Sequence, residues 1–300
     1  MQAGLDSIRG RNMRNFFAGL ILLLLVTPAF AQNYPPGWTT PYPAFHIIGP
    51  LYGVGLEDLQ VFLITTDEGH ILINTGLDGS LEIIRDNMAS LGFDIEDIRI
   101  LLTGQSHFDH TAELANIKAL SGARMLASEL DARVLEDGGE SDPHFGGEVM
   151  FEPIEVDQII RQGDIIELGD VRLRVLEHPG HTEGSTSFTL TVNENGRDYK
   201  VGIINMGTIN NGKRLLNDPT YPGVAKDFAY TYASQKALEV DVWVGAHASH
   251  YNLHDKHTPG QPYDPNTFVD PEGFVDAVEN MERIFLEQLA EEQLTVGYPE

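Results

Sequence analysis

The sequence contains no cysteine. Disulfides are therefore excluded in any compartment, and so are thiolate nucleophiles and cysteine metal ligands. Whatever chemistry the chain performs must use His, Asp, Glu, Gln, hydroxyls or a bound metal. Basic residues are scarce too: 19 Lys and Arg stand against 45 Asp and Glu, a formal charge of −26. So acidic a chain is repelled by nucleic acid and by anionic lipid, which removes both as expected partners. There is no G-x-S-x-G nucleophile elbow. Gly53-Val54-Gly55 lacks the further glycine and helix of a dinucleotide site and reads as a turn. No internal repeat and no low-complexity linker interrupts the 300 residues, whose 42% apolar content can fill the core of one large α/β domain.

Long apolar runs are absent but for one. Phe16 to Val26 follows Arg9, Arg11 and Arg14 and precedes Ala29-Phe30-Ala31. A basic segment, a short apolar run and an A-x-A site predict a secretory signal cleaved after Ala31. The run is too short and too poorly flanked for an anchoring helix. The expected organisation is a signal peptide over 1–31 and a single domain over 32–300, exported with the periplasm as destination and free of the membrane once mature. Cleavage removes three Arg and Asp6 and deepens the negative charge by two.

What is present alternates. Gln32 to Pro50 is rich in Pro and Tyr and predicts an extended segment laid over the domain. Leu59–Thr65 and His70–Asn74 are β-type runs joined by the hairpin signal Thr66-Asp67-Glu68-Gly69. Leu81, Ile84, Met88 and Leu91 have helical spacing, and Gly92 stops the helix. Strand Ile98–Thr103, helix Thr111–Leu120, strand Arg124–Ala127 and helix Glu129–Glu136 follow, then a loop to Pro153. The second half predicts strands at Val171–Leu176, Thr186–Val192, Lys200–Asn205 and Val242–Ala246, with helices near Lys226–Leu238 and Pro271–Leu294. Strands alternating with helices in both halves indicate two packed sheets with helices outside.

The chemically informative stretch is Gln105-Ser106-His107-Phe108-Asp109-His110. It follows an apolar strand and opens a helix, so its side chains stand at the mouth of a sheet, where α/β proteins keep their sites. Four metal-capable groups within six residues point to a metal site. The stretch resembles the H-x-H-x-D-H motif of the metallo-β-lactamase superfamily, with glutamine in place of the first histidine. Ile73-Asn74-Thr75-Gly76 is similar to the family's strand-end turn, His178-Pro179-Gly180-His181-Thr182 to its P-G-H-T segment, and Gly245-Ala246-His247-Ala248-Ser249 to its last ligand segment. The resemblance covers nearly all the chain beyond residue 31 and implies the αββα sandwich of that fold: two mixed β-sheets with helices on the outer faces.

Two absences narrow the branch. Without cysteine, the subclasses that use a Cys zinc ligand are excluded. Lactonase, thioesterase and phosphodiesterase branches usually carry a metal-bridging Asp where this chain has Asn205-Met206. Subclass B3 β-lactamases need neither. Trp38 with Pro41 and Pro43, Leu51 to Leu59, and Ala246 to His254 look like that subclass, and Gln105 with Met206 resembles its glutamine-containing branch. The resemblance implies one or two zinc ions. Gln105, His107 and His181 would form the first site, and Asp109, His110 and His247 the second.

It further implies hydrolysis of a small-molecule β-lactam by a zinc-activated hydroxide oriented by Asp109. Thr208 and Asn210 are candidates for binding the substrate carboxylate, with Trp38, Met206, Phe145, Met150 and Phe151 beside the substrate. An amide oxygen is a weaker zinc donor than imidazole, so the second site is expected to be the tighter. His178 is expected to point elsewhere, and His46, His70, His144, His250, His254 and His257 are given no ligand role, though His144 lies where it would line the pocket. A monomer is the default expectation. The competing readings are a lactone or thioester hydrolase on the same fold and a zinc-binding protein with a decayed site.

Overall fold

A computed structural model describes residues 34–296; the expected signal peptide lies outside the described residues. The first half of the chain builds a sheet from β1 (Phe45–Ile48), β2 (Leu51–Gly53), β3 (Phe62–Thr66), β4 (Gly69–Ile73), β5 (Ile98–Leu102), β6 (Arg124–Ala127) and β7 (Gln158–Ile159), in that spatial order. The strands β1 to β4 pair antiparallel, whereas β4 to β7 run parallel. Parallel neighbours need crossovers, and α1 (Leu81–Ser90), α2 (Phe108–Thr111), α3 (Leu114–Ser121) and α4 (Glu129–Glu136) fall in those connections.

Side-chain alternation then sorts the core into layers. Phe62, Ile64, Ile71, Ile73, Ile100 and Leu102 join one apolar cluster, while Leu63, Leu72 and Leu101 join another. The latter also holds Ile84 and Met88 of α1, Leu114 and Ile117 of α3, and Ala132 and Leu135 of α4, so these helices cover the outer face. The other cluster takes in Leu173, Val175, Phe188, Leu190, Val201 and Ile203 of a second sheet. That sheet comprises β8 (Ile165–Leu168), β9 (Val171–Glu177), β10 (Thr186–Glu194), β11 (Arg197–Ile204) and β12 (Val242–Gly245), ordered β12-β11-β10-β9-β8, with only β11 and β12 parallel. The chain continues through α5 (Val224–Lys236), a short α6 (Leu253–Lys256) and α7 (Pro271–Val296). Phe285 of α7 meets Phe228 and Tyr232 of α5 at ring-centroid distances of 6.0 and 5.5 Å. The arrangement is the αββα sandwich, two mixed sheets with helices outside.

Three differences from the sequence reading have physical reasons. Part of the segment expected to be simply extended forms the β1–β2 hairpin, turning at Gly49 with φ 50°. The helix expected from Thr111 to Leu120 is two pieces, α2 and α3, because Thr75 N donates to His110 O at 2.7 Å and Ala112 N turns away to Gly76 O. The short β7, and β8 with Ile165 exposed and Ile166 buried, carry too little alternation to register.

The ends of β4 and β5 are fastened by one side chain. Asn74 sits at φ 67°, in the left-handed region that asparagine tolerates better than most residues. Its Oδ1 accepts from Gly104 N (3.0 Å) and Thr103 Oγ1 (3.2 Å), and its Nδ2 donates to Gln60 O (3.4 Å). Asn74→Ala strips a buried N–H of its acceptor and adds left-handed strain. Urea unfolding is expected to show a loss of about 2–4 kcal/mol, with Asn74→Gly about 1 kcal/mol less costly because it spares the strain. Equal losses in the two variants would remove the strain contribution.

Candidate metal centre

Three segments meet at one end of the sandwich. Beyond β5, Thr103 Oγ1 donates to Gln105 O and the chain enters α2 with His107 at its N-cap in extended conformation (φ −68°, ψ 150°). His110 N then returns to His107 O at 3.0 Å. This tight turn buries Gln105, His107, Asp109 and His110 together. The β9–β10 connection brings His181, its turn closed by Gly180 N donating to Thr182 O and His178 N to Ser185 O. The end of β12 brings His247. Here Asp58 to Gln60 pair as a short extra strand with Ala246 to Ala248, through Gln60 N to Ala246 O (2.9 Å) and Ala248 N to Asp58 O (2.8 Å).

One donor atom from each of Asp109, His110 and His247 lies within 4.8 Å of the others. Asp109 Oδ2 is 3.3 Å from His110 Nε2 and 3.5 Å from His247 Nε2. Beside them, His107 Nδ1 faces His181 Nε2 at 3.1 Å. Three of these imidazoles are held from behind through the nitrogen that faces away. His247 Nδ1 meets Asp58 Oδ2 at 2.9 Å, His181 Nδ1 meets the Thr208 carbonyl at 2.8 Å, and His107 Nε2 lies 3.4 Å from Asp142 Oδ2. One ring nitrogen inward and the other on a fixed acceptor is how proteins orient metal-ligating histidines.

The electrostatics ask for a cation. Burial would raise the Asp109 carboxyl, but His110 and His247 overrule it and hold it well below the carboxylate range. Burial would likewise lower His247, yet Asp109 and Asp58 push it up to about 9. Burial, and then each other's proximity at His107, keep His107 and His181 neutral, His181 at about 4. Among the described residues, neither ring nitrogen of His110 finds a hydrogen bond of good geometry, and the buried Gln105 Oε1 finds no partner. Unpartnered lone pairs around a buried carboxylate fit a divalent, borderline-soft ion such as zinc.

The other residues singled out from the sequence fall differently. Trp38 donates from Nε1 to Asp58 Oδ2 and lies 5.5 Å, centroid to centroid, from His247. Thr208 Oγ1 is 2.9 Å from His181 Nδ1, and Asn210 is half-buried on the same loop. Met206 is 1% exposed in the core cluster, so its side chain does not reach the cleft surface as expected. Phe145 contacts His107 and Phe108 edge-on, and Phe151 packs in the same apolar cluster, whereas Met150 is exposed. His178 points into the interior toward Ser187 and Ser234. His254 and His257 bond to Glu57 O and Tyr42, while His250 lies 4.9 Å from His247. Sequence reasoning missed Asp58, Asp131 and Asp142, because single acids in so acidic a chain carry no local signal.

Comparison with known proteins adds the following. Residues 55–193 match the family described as the metallo-beta-lactamase superfamily. The structure is similar to the metallo-beta-lactamase GOB-18 from Elizabethkingia meningoseptica, with TM-score 0.84 and 39% identity over 87% of this chain and 97% of that one. It is also similar to the class B3 di-zinc metallo-beta-lactamase LRA-12 from an Alaskan soil metagenome, with TM-score 0.83 and 44% identity over 85% and 97% of the two chains. A curated relative is the hydroxyacylglutathione hydrolase of a Bradyrhizobium species, 29% identical over 44% of this chain and 46% of its own length. The chain spans less than half the length of that relative.

A buried carboxyl clamps two of the segments. Asp131 accepts from Ser106 Oγ (3.0 Å), Thr182 Oγ1 (3.2 Å) and Gly184 N (3.2 Å), fixing the 105–110 turn against the His181 turn. Burial, opposed by those bonds, pushes it up to about 7. An acid whose folded pKa exceeds its unfolded value binds its proton more tightly when folded, so its contribution is full below about pH 4 and is lost as pH rises through about 7. Asp131→Asn cannot ionise. In metal-free protein, the unfolding free energy of the variant relative to the unmutated chain is expected to rise by up to about 4 kcal/mol between about pH 4 and pH 8. A pH-independent difference would show that Asp131 keeps an ordinary carboxylate affinity.

Proposed function

The chain belongs to the metallo-beta-lactamase superfamily, and from that premise we propose that it is a zinc-dependent β-lactamase of the subclass B3 type. The observation that carries this reading is the donor set. The His107–His181 pair stands beside the Asp109–His110–His247 cluster, with Gln105 buried on the same turn as His107, and Asn205 and Met206, not an acid, follow β11 where a bridging carboxylate would come. Likeness over nearly the whole length of two metallo-beta-lactamases supports it.

Zinc in such a centre supplies a Lewis acid and brings the pKa of water toward neutrality. Asp109 stays ionised and accepts a hydrogen bond from the attacking water, aiming its lone pair at the lactam carbonyl. His110 Nε2 and His247 Nε2, 3.3 and 3.5 Å from Asp109 Oδ2, would share the ion with that carboxylate. His181 Nδ1–H donates to Thr208, which leaves the Thr208 hydroxyl proton free for the substrate carboxylate, with Asn210 next to it on the loop. Trp38, Phe145 and Phe151 wall the cleft with apolar surface. The mature protein is read as exported, periplasmic and monomeric; among the described residues no helix is long and apolar enough to cross a membrane. A second reading, thioester or lactone hydrolysis, draws on the curated hydroxyacylglutathione hydrolase relatives.

Turnover of a chromogenic cephalosporin, a carbapenem and a homoserine lactone, with and without chelator, separates these readings. Chelator-sensitive loss of the β-lactams alone is expected; turnover of the lactone alone would transfer the assignment, and none at all would indicate a decayed site. Gln105→His is expected to tighten zinc in the first half roughly ten- to a hundredfold. Two tightly held zinc ions in the dialysed, unmutated protein would contradict the uneven pair.

A further inference from the structure

The histidines of the two halves are braced by separate carboxylates. Asp58 stands behind His247, and Asp142 behind His107, with the His107 and Asp142 side chains each only 3% exposed. Asp142 is itself pinned: its Oδ1 accepts from the backbone N–H groups of His144 (2.7 Å) and Phe145 (2.9 Å), leaving Oδ2 to face His107 Nε2. An ionised carboxylate oxygen can only accept. The His107 proton thus has two acceptors to choose from, His181 Nε2 at 3.1 Å from Nδ1 and Asp142 Oδ2 at 3.4 Å from Nε2; a cation held by Nδ1 and by His181 Nε2 would need both facing lone pairs and so would put the proton on the Asp142 side.

We propose that Asp142 is the positioning residue of the Gln105–His107–His181 half, holding His107 in the Nε2–H tautomer so that its Nδ1 is a metal donor. The proposal rests on the centre being a metal site, as argued above. This half needs the brace more than the other does. Its third donor is an uncharged amide, whereas the Asp109–His110–His247 half contains a carboxylate of its own. Asp58 braces His247 in the same way, so the two metal positions are tuned by different acids.

Asp142→Asn discriminates because the turn dictates how the amide sits. Its oxygen must keep the backbone N–H groups of His144 and Phe145, so its NH2 group faces His107 Nε2, and donor meets donor. His107 then moves its proton to Nδ1 and withdraws the lone pair from the metal position. The readout needs no turnover: long-range 1H–15N correlation spectra of the imidazoles in zinc-loaded protein, with His107 assigned by its disappearance in His107→Asn.

The zinc-loaded unmutated protein is expected to show His107 as Nε2–H, and Asp142→Asn, its weaker position emptied, to show Nδ1–H. Zinc titration should find the weaker position loosened about ten- to a hundredfold, with the tighter one unchanged. Asp58→Asn should loosen the tighter position instead. An Nδ1–H tautomer in the unmutated protein, or Asp142→Asn that keeps both tautomer and zinc affinity, overturns the proposal. Should Asp142→Asn not fold, Asp142→Ser keeps an acceptor for the turn while removing the oxygen that faces His107, and the same loosening is expected. If the unmutated protein binds no zinc at either position, the metal reading fails and the proposal with it, whereas zinc bound as tightly by Asp142→Asn as by the unmutated protein overturns the proposal alone.

Discussion

Asp109 is held ionised inside the protein between His110 and His247, and a buried charge is tolerated only when opposite charge and hydrogen bonds stand close by. Much of the surrounding architecture answers that requirement. His247 is made basic by two carboxylates, Asp109 on one side and Asp58 on the other. His110 has no acceptor of its own behind it. The cluster is incomplete as a set of protein groups, and a cation resolves what the side chains leave open. The neutral pair His107 and His181 extends the same cavity with lone pairs and no further charge.

Holding such a cluster is the task of residues that touch no substrate. Asn74 fastens the ends of β4 and β5, so the 105–110 turn begins from a fixed point. Asp131 locks that turn to the turn bearing His181. Asp58 to Gln60 lie along Ala246 to Ala248 and deliver His247. Each clamp joins two segments far apart in the chain, the first two through a buried side chain and the third through backbone pairing. Under the proposed zinc reading, rigid support of this kind would let a weak donor such as Gln105 contribute at little cost in reorganisation.

Much of this was legible in the sequence, and the limits are instructive. The runs around Phe62–Ile64, Ile71–Ile73 and Ile100–Leu102 read as strands because they are short, apolar and bounded by turn residues, whereas the sorting of their side chains between two apolar layers shows only in the packing. The Gln105–His110 turn was readable because four metal-capable groups seldom crowd one strand end by accident. The β1–β2 hairpin was hidden by proline and tyrosine, and β7 by being two residues long. Met206 lies two residues beyond β11, and its side chain packs into the core cluster instead of the site. His250 was set aside with His254 and His257, yet one turn after β12 brings it beside His247. Asp58 and Asp142 were invisible for a different reason: their meaning is a contact, and the Asp58 partner is 189 residues away.

That separation bears on how the protein comes into being. The histidine that completes the Asp109 cluster sits on the last strand of the second sheet and reaches Asp58 only after most of the chain exists. Contacts between such distant segments form late, since closing so long a loop is entropically costly until intervening structure has shortened it. The metal centre therefore cannot nucleate folding in the way a compact zinc finger does. Its assembly follows the docking of the two sheets and certifies that docking: a chain with its first sheet formed and its second astray has the 105–110 turn but no cluster around Asp109. On the proposed reading, metal capture would thus be a checkpoint on completed topology, since a misdocked chain lacks His181 and His247 beside the 105–110 turn.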